Sequence, residues 1–192
     1  MMKTTAKQII DFWVKQVGPA GWYEADQDVD QQIIGRFMPA YDAAVNRKLD
    51  DWRDTPQGSL ALLLLLDQFS RNMFRGSAQS FYADPLAREI ARQAIDNNQD
   101  LQIKGLEQQF FYLPFTHSEE LSDQDFGVEM VRARFFHNND DALHARAHRE
   151  IIRTFGRFPF RNQVLGRDST PEEGAFMDDG GYGAIVRKLQ NT

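Results

Sequence analysis

The run Leu60-Ala61-Leu62-Leu63-Leu64-Leu65-Leu66 constrains this chain more than any other stretch. Seven consecutive apolar residues show hydrophobic surface in every direction, so a helix made of them has to be enclosed on several sides. None of the seven is β-branched, which argues against a strand. A membrane-spanning helix needs roughly twenty such residues, far more than this run supplies. Thr55-Pro56 supplies a capping side chain followed by a first-turn proline, and Gly76 stands where a helix stops. Gly58 to Phe74 is therefore expected to form the central helix.

Other helix signals recur along the chain. Thr5-Ala-Lys-Gln8 has the form of a capping box, and Ile9, Trp13 and Val17 follow on one face until Gly18-Pro19. A second helix is expected from near Asp28, carrying Val29, Ile33, Phe37 and Tyr41 at spacing four, with Pro39 kinking it or ending it early. Asp84-Pro85 repeats the cap-plus-proline device before Leu86, Ile90 and Ala94. Further helices are expected over Leu106 to Phe115, broken near its end by Pro114, and over Ser122 to Phe135. Another opens at Asp140 or Asp141 and ends at Phe155 before Gly156. Thr170-Pro-Glu-Glu173 caps a last short helix ahead of the glycines at 180, 181 and 183. No stretch alternates with period two, so the expected fold is all-α, built of stacked antiparallel helical hairpins. No linker-like segment interrupts it, and residues 1–192 read as one domain.

The net charge of −6 argues against a nucleic-acid partner, and the absence of a long apolar stretch argues against a membrane one. Between Met130 and Arg167, however, eight arginines face only Asp140, Asp141 and Glu150, a local excess of five positive charges. Without cysteine there is no disulfide, thiolate metal site or cysteine nucleophile. Asp11 and Lys15 interrupt what would be the apolar stretch of a signal peptide, which makes a cytoplasmic protein the expectation. The sequence contains neither GxxxxGK[ST] nor HExxH. Only one acid-x-x-His pair occurs, Asp141 with His144. His117-Ser-Glu119 lacks the downstream cysteines of a zinc deaminase. No cofactor and no metal are expected.

What remains is a set of polar residues among apolar helix ends. Asp67 and Arg71 are one helical turn apart, either an ion pair closing the helix or a guanidinium fork presented to an anion. Tyr112 lies in the aromatic run Phe110 to Phe115, and His117 and Glu119 follow it. His144 and His148 have the spacing of a ligand pair, but on an arginine-rich helix that repels cations. Arg157 and Arg161 alternate with aromatic rings in Phe155-Gly-Arg-Phe-Pro-Phe-Arg-Asn162, a loop that its rings would pack on the core.

The segments LLLDQFSRNMFRG (64–76), FYLPFTHSEEL (111–121) and HREIIRTFGRFPFRNQVLGRDSTPEE (148–173), with the openings IIDFWV and GWYEAD, resemble a bacterial family known as domain of unknown function 924. The likeness covers nearly the whole chain. It implies a tetratricopeptide-like helical fold and no particular activity. The family's motif residues fall here on Asp67, Gln68, Arg71, Asn72, His117, Ser118, Glu119, His148, Arg157, Arg161 and Asn162. Where many of its members carry histidine, this chain has Phe160.

Two functions fit these observations. Stacked hairpins would form a groove for a peptide or protein partner. Alternatively, Asp67, Arg71, Asn72, Tyr112, His117, Glu119, His148, Arg157, Arg161 and Asn162 would line a pocket for a small anionic ligand, with an acid, a base and anion clamps.

Overall fold

The computed structural model describes residues 4–135 and 139–191. Among them there is no strand, and the fold is all-α. Residues group into two compact units, Met1–Pro114 and Phe115–Thr192.

In the first unit, α1 (Ala6–Ile10) opens on the expected box, Thr5 and Gln8 capping each other. It widens into a π-helical stretch, Asp11–Val17, which stops at Gly18. Helix α2 (Gln27–Val45) is capped by Asp26 and runs through Pro39 without ending. The early end does not occur: Pro39 and Gly35, whose carbonyl loses its N–H donor, both lie on the exposed face, where the freed carbonyl is open to solvent.

The leucine run lies in α3 (Pro56–Leu63) and a second π-helical stretch, Leu64–Phe69, which passes into α4 (Ser70–Met73). Thr55 caps α3 through the Gly58 amide at 3.1 Å. Gly58 has no substitute there, since a Cβ would stand 2.0 Å from the Trp52 carbonyl oxygen. Leu60 to Leu66 are all essentially inaccessible, as a helix apolar on every side requires. α3 packs against α1 and α5 (Asp84–Asp96), and the π-helical stretch against α2. Phe69 sits among Phe12, Trp13 and Phe37, with ring centroids 5.2 to 6.0 Å away.

The expected helix over Leu106 to Phe115 is instead a 3-10 turn, Leu106–Phe111, followed by the single turn α6 (Leu113–Thr116). Pro114, lacking an N–H, falls in the first turn of α6, where no donor is needed.

In the second unit, α7 (Leu121–Arg134) packs along α8 (Asn139–Phe155), and α8 along α10 (Gly181–Gln190). The expected cap at Asp140 or Asp141 rests on side chains outside the described residues. Gly156 ends α8 in the left-handed region, and α9 (Pro171–Asp178) has the Thr170–Glu173 capping box. Helix α10 is unforeseen in the sequence, where its glycine-rich start reads as a tail. Ile151, Ile152 and Phe158 form an apolar centre here, against which Phe155, Phe176, Tyr182 and Ile185 pack.

Candidate functional site

The sequence-derived candidates divide between the units. Asp67, Arg71, Asn72 and Tyr112 belong to the first. His117, Glu119, His148, Arg157, Arg161 and Asn162 belong to the second.

In the first unit these residues are held by partners within it. Arg71 donates from Nη1 and Nη2 to the two oxygens of Asp84, at 3.2 and 3.1 Å, and lies 3.2 Å from Asp67 Oδ1. Burial lowers the guanidinium's proton affinity, but Asp67 and Asp84 together raise it above the ordinary arginine value. Of the two alternatives for Arg71, an ion pair closing the helix or a fork presented to an anion, the ion pair with Asp67 is present, and Asp84 joins it. Its place before Pro85 predicts that Asp84 caps α5. Its carboxylate turns to Arg71 instead, and α5 begins without a side-chain cap. Asn72 donates to Asp30 Oδ1 at 2.8 Å, and Arg75 grips both oxygens of the same carboxylate, tying α4 to α2. Tyr112 is buried; its hydroxyl donates to Asp100 and accepts from Gln108, both at 2.8 Å.

In the second unit the loop between α8 and α9 is closed by a polar clasp. Glu173 accepts from Arg157 Nε and Nη2 at 2.6 and 2.8 Å, from Asn162 at 3.0 Å and from the Thr170 amide at 2.8 Å. Arg157 above all, then the Thr170 amide, holds the buried Glu173 carboxyl down to about 2. Asn162 in turn accepts from Arg167 Nε at 3.0 Å. Arg167 also grips Glu119 at 2.7 and 3.0 Å, and Glu119 takes the Phe158 amide at 2.8 Å. Burial pushes the Glu119 carboxyl up, but Arg167 and the Phe158 amide overcome it, leaving the carboxyl below the ordinary range. Arg157 and Glu119 are thus each held in an ion pair within the unit.

The clasp fixes Phe158, and against Phe158 lies a group of rings. His148, on α8, has its centroid 5.6 Å from Phe158, 6.2 Å from His117 and 4.8 Å from Tyr182. Tyr182 stacks on His144 at 5.9 Å and 14°, with its hydroxyl bonded to His144 Nδ1. Arg161 lies 4.6 Å over the Phe158 ring. Phe160 also stacks on Phe158, with ring centroids 5.1 Å apart, and is 41 % exposed. His117 is held by the backbone on either side of it. Gln124 Nε2 donates to the Thr116 carbonyl at 2.8 Å and the Ser118 carbonyl at 2.6 Å.

His148 Nδ1 stands 2.9 Å from the His144 carbonyl oxygen. A carbonyl only accepts, so Nδ1 carries the hydrogen and Nε2 of the neutral ring holds the lone pair. Burial first, then the positive character of His117, Arg161 and His144, pushes the imidazole down to about 3, against the opposing pull of the His144 carbonyl. At neutral pH the ring is an uncharged acceptor beside a cation. Such a ring takes an N–H or O–H from a ligand and is a weak base. Among the described residues no group of three His, Asp or Glu side chains is disposed to hold a metal ion. No helix among them is long and apolar enough to cross a membrane.

The sequence reading missed Asp84, Gln124, Arg167, Glu173 and Tyr182 as members of these arrangements. Glu173 was visible only as a capping residue and Arg167 only as part of the positive excess. Tyr182 carried no signal, because the helix that places it was not expected.

Fold and site together define an all-helical protein with a histidine-centred cluster buttressed by an arginine–carboxylate clasp. The chain belongs to the family described as bacterial protein of unknown function, DUF924, which matches residues 9–181. It is similar to a solved structure, that of the protein of unknown function ATU0120 from Agrobacterium tumefaciens. The two are 41 % identical with a TM-score of 0.86, over 91 % of this chain and 97 % of the other. Among curated proteins nothing matches it.

Proposed function

We propose that this protein binds a small acidic molecule at His148. The observation that carries the reading is the tethered imidazole: its Nδ1–H is committed to the His144 carbonyl, leaving Nε2 as an acceptor among His117, Tyr182 and Phe158. An uncharged acceptor of fixed tautomer is what a ligand hydroxyl or acid O–H requires. The positive field of Arg161, which also acts on Glu119, reaches this imidazole and favours a ligand group of negative character. The ligand class is thus a hydroxy acid or a phosphate monoester.

The peptide-groove reading, with tetratricopeptide-like stacking, has less support. The exposed large apolar side chains, among them Tyr23, Tyr82, Phe160 and Met177, fall on separate elements, so no described helix offers a stripe of anchors.

Thermal-shift screening against hydroxy acids and phosphate monoesters tests the proposal. A binder at ten times its dissociation constant should stabilise the protein by about 1.4 kcal/mol. His148→Gln should abolish the shift with its own fold retained. If no probe shifts the wild type, or if the shift survives in His148→Gln, the small-acid reading falls and the peptide groove takes its place.

A further inference from the structure

We propose that the first turn of α10 is the gate of the His148 site. Tyr182, pivoting on Gly180 and Gly181, covers the imidazole in the closed state and withdraws to admit a ligand. The inference builds on the reading of His148 as the centre of a site.

Three observations carry it. Tyr182 lies against both imidazoles of α8, 4.8 Å from His148 and stacked on His144, and is latched there by the hydrogen bond its hydroxyl shares with His144 Nδ1. Immediately before it, Gly180 and Gly181 have φ of 97° and 53°, two successive residues in the region that L side chains avoid. With no Cβ at either position, the backbone rotates there at low cost, which is the property of a hinge. Finally, α10 packs along α8, yet none of the side chains at 182–190 is fully buried. Tyr182 and Ile185 are only partly buried against Ile151, Ile152 and Phe158, while Met177, at the end of α9, is 42 % exposed. A segment held by few buried apolar groups opens well below the cost of global unfolding.

Phe158, against which both His148 and Tyr182 lie, is tied to Glu119 and Arg167 by hydrogen bonds, and none of the described hydrogen bonds of Glu119 or Arg167 runs to α10. The site thus has one fixed wall and one hinged wall.

Carbethoxylation by diethyl pyrocarbonate, which attacks unprotonated imidazole, reads the gate without any ligand. Rates at each histidine of the full chain near pH 7.5 are followed by peptide mass mapping. In the wild type, exposed His144 should react well ahead of His148. Tyr182→Ala should accelerate His148 by about tenfold. Tyr182→Phe keeps the ring and removes the latch, and should accelerate it severalfold. Amide exchange across 151–158 should stay at wild-type protection, which separates gate opening from loss of the core. If Tyr182→Ala unfolds the unit, Tyr182→Phe alone decides. An unchanged His148 rate in the folded variants, or a wild-type His148 as reactive as His144, overturns the gate. A gated rate with no ligand in the screen overturns only the small-acid reading. A ligand shift lost in His148→Gln, with an ungated rate, overturns only the gate.

Discussion

Asp84 illustrates how one carboxylate chooses between a local and a distant partner. Asp before proline at a helix start is a standard capping arrangement, worth about 1 kcal/mol. A bidentate bond to a guanidinium shielded from water is stronger, and Asp84 takes it. The two roles are separable by experiment. Asn caps as well as Asp, so Asp84→Asn would be near-neutral in denaturant titrations if capping were the role. The structure calls for a loss of about 1–3 kcal/mol, because Arg71 is left with Asp67 as its remaining described carboxylate. Glu173 shows the opposite economy, since one carboxylate serves both the α9 capping box and the Arg157 fork.

At the scale of elements, the leucine run behaves as its composition demands and its geometry departs from it. The seven residues are buried as expected, yet the helix widens to a π form from Leu64 onward. Asp67 and Gln68, both buried, stand in that widened turn. Because no neighbouring face is water-accessible, truncation here leaves a cavity. Leu64→Ala should cost about 2–5 kcal/mol in chemical denaturation, and Leu64→Asp should yield no soluble folded protein. Wild-type expression and melting of both variants would show that the run is not the core of its unit. Helix α10 makes the complementary point. Gly181-Tyr-Gly183 has poor intrinsic propensity, and the helix forms because Tyr182 and Ile185 have a surface to cover.

For the molecule as a whole, His148 imposes a pH dependence. Its folded pKa, about 3, lies below the unfolded value of 6.5, so between those limits the unfolded chain binds the extra proton. Stability therefore falls as pH is lowered through 6.5 towards 3, by on the order of 1 kcal/mol per pH unit from this group. Glu173 adds to the same trend further down, from 4.5 to about 2, where its favourable ionised form is progressively lost. Urea titrations of wild type and His148→Gln between pH 7 and 5 isolate the histidine, because the carboxylates remain ionised there. The variant should show the shallower slope, and parallel curves would mean that His148 is solvated in the folded protein.

The sequence by itself determined the helical class, most helix starts and stops, and the burial of Leu60 to Leu66. These rest on interactions within about one turn: Thr5 with Gln8, Thr55 with Gly58, Thr170 with Glu173. It also singled out His148, Glu119 and Arg157 as unusual, since charged and polar residues amid apolar helix ends are costly without partners. Tertiary structure alone decided who the partners are. Glu119 meets Arg167 across 48 residues, and His144 meets Tyr182 across 38. Residue order does not encode such pairings locally. They depend on which helix faces pack together, and several carboxylates compete for each guanidinium until packing brings one within reach. That is why Arg71 finds Asp84 beside Asp67 and Arg157 finds Glu173, while Tyr182, on an unforeseen helix, lies against His148.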